Sequence, residues 1–307
     1  MKRVIIVNPH SSGGRTGASW GGMESMFRES LDNPVIEFTD GPGAATRITK
    51  TYLKKGFHHI IAVGGDGTVS ETVNGFFEND RPVKKNAILS FVMNGTGCDY
   101  AKSFGISREI RGALNGILNH PVKSVDIGRI ECMGESGEKM IRYFNNVASF
   151  GMGGEVAAGV NDLKIGRLIN GRMLFYLVSV YMSLKCGIRS GAVRINRGPL
   201  MGRRFRNISI AIGKYHGGGM KIAPLAEMDD GLFDVITVGD FGFVELLTLT
   251  SDVYRGTHIN RSKVISERCT EFYAQSDRPV RIEVDGEVFG MLPARFTILR
   301  SALRVRV

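Results

Sequence analysis

Residues 60–77, IIAVGGDGTVSETVNGFF, set three glycines around one aspartate between an apolar run and a helical pattern. The run ends in a glycine-rich turn, after which Val69, Val73 and Phe76 or Phe77 recur at helical spacing, predicting strand, turn and helix. Consecutive backbone N–H groups in such a turn, with the positive end of the following helix, make an anion cradle suited to phosphate. Glycine allows the close approach that a side chain would block. A carboxylate at Asp66 is repulsive to phosphate on its own, so two readings stand: it reaches a Mg²⁺ or an uncharged hydroxyl, or it caps the helix. No Lys-Ser/Thr pair follows the loop, which excludes the GxxxxGK[ST] phosphate loop, and neither this turn nor Gly151-Met152-Gly153-Gly154 has GxGxxG spacing.

The same local grammar occurs three times in the first 125 residues. RVIIV (3–7) leads into NPHSSGGR (8–15), HIIAV (59–63) into GGDGT, and AILSFV (87–92) on towards NGTGCD (94–99). Continuous apolar runs suit strands buried on both faces of a parallel sheet, and loops at the carboxyl ends of such strands gather along one edge. From about Val125 the texture becomes β-rich: DIGRIECM, KMIRYFNNVASFG, AVRINRG, RNISIAIG, LFDVITVGD, VRIEVDGEVFG and RFTILRSALRVRV, with helical patterns near 166–185 and 243–254. The expected fold is an α/β N-terminal domain with a parallel sheet, residues 1–127, and a β-rich, sandwich-like second domain, residues 128–307, with 293–307 packing back on the first.

The chain has 307 residues, 43% hydrophobic and 23% charged, as in ordinary globular proteins. Cys98, Cys132, Cys186 and Cys269 show no CxxC spacing and the six histidines no HExxH pattern, so neither a disulfide frame nor a histidine metal site is expected. The N-terminus lacks a signal-peptide core, and the longest apolar run, 173–184, falls short of the ~20 residues that span a bilayer. These features predict a cytoplasmic protein. Net charge is +10, and Lys185 to Arg206 carries seven basic residues and no acidic one. That stretch is read as a surface for an anionic membrane face or as a plain solvated face. Nucleic acid is not expected, because no helix-turn-helix or interleaved aromatics accompany the charge.

Two acidic segments stand out in the second half. APLAEMDDGLFDVITV (223–238) places Glu227, Asp229 and Asp230 just before a predicted strand, a source of hard oxygen ligands or a plain acidic turn. In RIEVDGEVFG (281–290), Asp285-Gly286 between alternating residues is a hairpin signal, for which Glu287 is not needed.

Taken in order, VNPHSSGG, GGDGTVSETVNG, NGTGCDYAKSFGI, VDIG, DDGLFDV and VDGE make the chain resemble, over essentially its whole length, the bacterial diacylglycerol kinase and lipid kinase family. That family is related to sphingosine kinases and, distantly, to NAD kinases. The resemblance implies an ATP-dependent kinase acting on a hydroxyl of a lipid such as diacylglycerol, phosphatidylglycerol or a sphingoid base. It implies ATP contacts at Asn8, Pro9, Ser12, Gly13 and Arg15, at Thr39, at Gly64, Gly65, Asp66, Gly67, Thr68 and Glu71, and at Gly95 and Thr96. Asp126 would join Arg15 in a charged network near the active site, and Glu227, Asp230 and the Leu232 carbonyl would hold Mg²⁺. Glu287 would accept the acceptor's proton, supported by Asp285, with Asp66 and Asp126 completing the catalytic set. The family usually has Gly-Thr-x-Asn-Asp at the third loop; here Cys98 precedes Asp99. The expected partners are a lipid substrate, a peripheral contact at the inner membrane face, and possible homodimer formation. GRMLFYLVSVYMSLKCG (171–187) reads as a tail-binding wall or as core. The alternative, a small-molecule kinase of the NAD kinase type, shares GGDGT but not the NGTGxDYA loop or the VDGE hairpin.

Overall fold

The computed structural model describes residues 1–93, 98–106, 109–162 and 187–307, and the chain divides into two compact units, Met1–Val125 with Ser301–Val307 and Asp126–Arg300. The helical pattern at 166–185, with its apolar run 173–184, and Cys186 lie outside the described residues.

The first unit is built on β1 (Arg3–Val7), β2 (Val35–Phe38), β3 (His59–Gly64) and β6 (Ile88–Met93), with α1 (Arg15–Ser30), α2 (Ala44–Lys54), α3 (Asp66–Gly75), α4 (Asp99–Phe104) and α5 (Ile110–Asn119) between or after them. A two-residue hairpin, β4 (Phe77–Glu78) and β5 (Arg81–Pro82), follows α3. The sheet is parallel, β2-β1-β3-β6, with the last residues of the chain running parallel to β6 through Arg304 and Val305. Every residue of β3 is buried, as continuous apolar strands between helical layers require. Trp20, Met23 and Phe27 of α1 and Leu114 and Ile117 of α5 pack with Ile5, Ile61 and Val63 as one core.

The second unit is antiparallel and comprises β7 (Lys123–Met133), β8 (Lys139–Phe144), β9 (Val147–Gly151), α6 (Met152–Asp162), β10 (Arg189–Ile195), β11 (Met201–Phe205), β12 (Asn207–Ala211), β13 (Phe233–Val238), α7 (Phe243–Arg255), β14 (Val264–Cys269), β15 (Glu271–Gln275), β16 (Arg281–Val284) and β17 (Glu287–Val305), whose end passes into the first unit. Strands β14-β13-β12-β9-β16-β17 form one ladder; β15 joins β17 to β10 and β11, and β7 joins β17 to β8. The run KMIRYFNNVASFG is divided at Asn145-Asn146, where β8 ends before β9 begins.

Period-two alternation decides what each face of this ladder carries. Phe150, Ile208, Ile210, Phe233, Val235 and Ile282 point into a sandwich core. Phe144 stacks there on Phe233 at 5.8 Å and Phe150 on Phe296 at 6.3 Å between ring centroids. The intervening residues face the other way: Val147, Ala211 and Ile236 pack with Leu246 and Leu249 of α7. Register then sets Glu283 opposite Ser149, Ser149 opposite Ser209 and Ser209 opposite Ile236 in one row on that outer face.

Candidate active site

In the first unit the two described glycine-rich turns are tied together by side chains. Asn8 Nδ2 donates to Thr68 Oγ1 at 3.0 Å, and the Asn8 N–H donates to the Val63 carbonyl at 2.9 Å, so the first turn is fixed against the end of β3. Ser12 (φ 57°), Gly13 (φ 69°) and Gly14 (φ 89°) are successively left-handed, which turns the chain sharply into α1. Arg15 Nε closes that turn on the Ser12 carbonyl at 3.1 Å, and the Pro9 carbonyl accepts from Gly17 N–H. Gly64 has a packing reason: a Cβ there would sit 2.4 Å from Thr68 Oγ1. Thr39 follows β2 and is buried, its N–H bonded to the Val7 carbonyl at 2.9 Å.

The local-cap reading of Asp66 fails. Gly65 is the N-cap of α3, and the Asp66 carboxylate instead accepts the N–H groups of Asp99 and Tyr100, each at 3.2 Å, at the start of α4. Glu71 behaves alike, accepting from Gly43 N–H at 2.8 Å and Ala45 N–H at 3.1 Å at the start of α2. Both acids therefore satisfy orphan donors at helix ends other than their own. Cys98, buried and left-handed at φ 49°, is the N-cap of α4. Gly95 and Thr96 lie outside the described residues. Gly65, Gly67 and Thr68 remain at the start of α3, where the helix offers its positive end.

In the second unit, Asp126 is wholly buried and meets the acidic loop directly: its Oδ2 accepts Gly231 N–H at 2.6 Å and its own N–H donates to the Met228 carbonyl at 2.7 Å. Asp230 Oδ1 accepts Leu232 N–H at 2.9 Å, and its other oxygen is ion-paired to Arg268. Nearby Asp234 is buried, with Oδ2 lacking a hydrogen bond and Arg268 Nε 3.6 Å away. Burial, then the negative charge of Glu227, pushes the Asp234 carboxyl up to about 6, against a smaller opposing effect of Lys214. Among the described residues no three acids, cysteines or histidines stand close enough to hold a metal unaided. The observation that fits a cation is the orphaned Asp234 oxygen, which feels the charge of Glu227 and shares Arg268 with Asp230.

The VDGE turn is a tight hairpin with Asp285 at φ 51° and Gly286 at φ 92°, and Val284 paired with Glu287. Asp285 is a fastener: its carboxylate accepts the N–H groups of Asn145, Asn146 and Val147 at 3.2, 3.1 and 3.1 Å. Glu287 is half-exposed, with Oε2 2.6 Å from Arg142 Nη2.

A cavity of about 130 Å³ opens on the outer face of the ladder, beneath α7. Its apolar walls include Val156, Ile222, Ile236, Leu246, Leu249 and Val253, and it reaches Gly286, the residue beside Glu287. At that end the buried Glu283 accepts from Ser149 Oγ at 2.8 Å and Gly286 N–H at 2.8 Å, and stands 3.2 Å from His216 Nε2. Sequence reading missed Glu283, His216, Ser149 and Arg142. The available signal for Glu283 was a charge at a strand position between Ile282 and Val284.

The basic stretch is not an unpaired patch. Arg203 is paired with Glu267 at 2.7 Å, Arg189 with Glu155 at 3.4 Å and Arg204 with Asp240 at 3.6 Å. Arg206 donates to the Phe241 carbonyl, and Arg194 lies 5.4 Å over the Tyr273 ring.

Comparison with known proteins matches two family models, the diacylglycerol kinase catalytic domain over residues 2–130 and the YegS C-terminal NAD kinase beta sandwich-like domain over residues 146–307. The diacylglycerol kinase of Bacillus subtilis (strain 168) is 28% identical over 308 residues, covering 99% of this chain and 96% of its own. That of Staphylococcus haemolyticus (strain JCSC1435) is 28% identical, covering 98% and 86%. Two solved structures from Bacillus anthracis str. Sterne share the fold. One has a TM-score of 0.80 at 20% identity, covering 99% of this chain and 94% of that one. The other, described as a diacylglycerol kinase, has a TM-score of 0.72 at 19% identity, covering 99% and 96%.

Proposed function

The chain belongs to the bacterial lipid kinase family and is a phosphotransferase for an alcohol group of a lipid, and on that premise we propose that its acceptor is a lipid of the diacylglycerol class, phosphorylated by ATP with Glu287 as the base. The observation that carries this reading is the apolar cavity of the second unit, which ends at Gly286. An acyl chain lying in it would bring the lipid to the VDGE turn, where Gly286 lines the cavity and Glu287, paired with Val284, leaves on the opposite face of the ladder. Burying methylenes against such walls favours a lipid by about 0.8 kcal/mol each.

In this reading the backbone at the start of α3 and the turn held by Asn8 and Thr68 grip the triphosphate, and Asp66 and Glu71 keep α4 and α2 in register around it. Phosphoryl transfer asks the protein mainly for positioning and charge stabilisation. The acceptor hydroxyl loses its proton to Glu287 as its oxygen bonds to the γ-phosphorus and ADP departs. A Mg²⁺ held by Glu227, Asp230 and the Leu232 carbonyl would neutralise the acidic loop that abuts Asp126. A bilayer-resident acceptor calls for peripheral contact with the inner membrane face. Because half of the described arginines of the basic stretch are paired with acids, that contact rests more on the lipid entering the cavity than on charge.

Purified protein with labelled ATP, Mg²⁺ and mixed micelles of diacylglycerol is expected to yield phosphorylated lipid, and Glu287→Gln to lower kcat by about 10²–10⁴-fold. Near-normal turnover by Glu287→Gln would remove the base assignment. Labelled NAD without labelled lipid would remove the acceptor assignment.

A further inference from the structure

We propose that Arg142 is a positioning residue for the transfer step: it holds Glu287 by Oε2 and thereby presents Oε1 to the acceptor hydroxyl. The inference rests on the reading of Glu287 as the base.

Arg142 occupies an unexpected place for a charge. Within β8, Met140 and Phe144 pack on the sandwich core, and alternation puts Arg142 on the same face, opposite the fully buried Ile130 of β7. Its side chain is only 13% exposed. A guanidinium at an inward-facing position loses hydration, and it persists there only with a partner. The structure supplies Glu287 Oε2 at 2.6 Å and the ring of Phe289, 5.4 Å from the guanidinium carbon. Phe289 lies at the bulge where the β16–β17 register shifts, and one arginine meets both it and Glu287. For stability alone an apolar residue of similar size serves this position as well or better. An arginine that instead grips a half-exposed carboxylate fixes that carboxylate's rotamer.

The stereochemical consequence is a division of labour between the two oxygens. Oε2 accepts the guanidinium N–H and stays bound to it throughout. Oε1 takes the hydroxyl proton, the hydroxyl oxygen's electron pair forms the new P–O bond, and the bond to the bridging oxygen breaks with its pair leaving on ADP. Arg142 neither gains nor loses a proton. Misplacing a base by about an ångström reduces rate on the order of 10²-fold, and this sets the scale of the effect.

Arg142→Met and Arg142→Lys should be assayed beside Glu287→Gln and the double variant, Arg142→Met with Glu287→Gln, in the full chain with diacylglycerol micelles. Arg142→Met is expected to lower kcat by about 10–10²-fold with both KM values within about twofold, and Arg142→Lys to recover part of that loss. In the Glu287→Gln background Arg142→Met should cost no further rate, because the arginine acts through the carboxylate. Wild-type kcat in Arg142→Met alongside an impaired Glu287→Gln overturns this proposal and leaves the base standing. A raised KM with unchanged kcat, or equal losses in both backgrounds, also overturns it. If Arg142→Met does not fold, Arg142→Lys decides: a kcat loss absent in the Glu287→Gln background supports the proposal, and none overturns it. Normal turnover by Glu287→Gln instead sinks the base reading itself.

Discussion

Two glycine turns, one in each unit, place an acid in the same structural job. Asp66 after β3 accepts two backbone N–H groups from residues 99 and 100, and Asp285 after β16 accepts three from residues 145 to 147. Each reaches out of its own turn and fastens a distant segment. The turns differ in what stands next to the fastener. The GGDGT turn continues into α3, where a second acid, Glu71, is again committed to a helix end. The VDGE turn continues into β17 with Glu287 half-exposed and gripped by one side chain. An acid bonded to backbone N–H groups builds the scaffold, whereas Glu287, half-exposed and bonded to one side chain, keeps the freedom that the proposed base needs.

That contrast is broken most severely at Asp285. Asp285→Ala strands three N–H groups at the β8–β9 junction and frees the hairpin, and the expected loss is about 3 kcal/mol of stability together with about 10²-fold in kcat. Denaturant titration and steady-state assays measure the two. A variant of wild-type stability that is equally impaired in rate would mean that Asp285 acts on substrate directly. A smaller effect sharpens the difference in what the units bind. Leu249→Trp narrows the cavity beneath α7, so KM for a long-chain diacylglycerol is expected to rise about tenfold while KM for ATP is unchanged. An unaltered lipid KM would take the acyl chain out of this cavity.

What could be read from sequence was what is local. Three apolar runs ending in glycine loops gave the parallel sheet, and Asp285-Gly286 gave the hairpin, because both are decided within about ten residues. The committed acids were illegible because their partners are remote: Asp66 meets residues 33 and 34 positions away and Glu71 meets residues 28 and 26 away. Arg142 and Glu287 are 145 residues apart. The same distance hid the pairing of Arg203 with Glu267, one of three described arginines of the basic stretch that meet an acid in the fold. The cavity was unreadable for a different reason. It depends on the register that lines up Glu283, Ser149 and Ser209, which period-two patterning leaves open until the strands are paired.

The units should also respond oppositely to acid, with no effect on turnover at neutral pH. In the first unit, His59 Nε2 lies 2.8 Å from Ser90 Oγ, and Ser90 donates in turn to the Arg306 carbonyl, which makes His59 the donor and leaves Nδ1 unprotonated and without a partner. Burial, then the charges of Arg3 and Arg306, lowers its pKa to about 3. Between the ordinary histidine value and about 3 the unfolded chain binds a proton that the folded one refuses, so stability is fully present above the ordinary value and is lost as pH falls, by up to about 1.4 kcal/mol per pH unit. Asp234 in the second unit has the opposite sign: with its pKa raised to about 6, the folded form binds the extra proton, and acidification through that value relieves its burial. Wild-type stability measured by denaturant from pH 7 to pH 5 is therefore expected to fall through the first unit, and His59→Gln, which keeps a donor for Ser90, to flatten that slope. An unchanged slope in His59→Gln would show that His59 takes up its proton in the folded state, and with it that the link from β3 to the chain's last residues is looser than the distances to Ser90 and Arg306 imply.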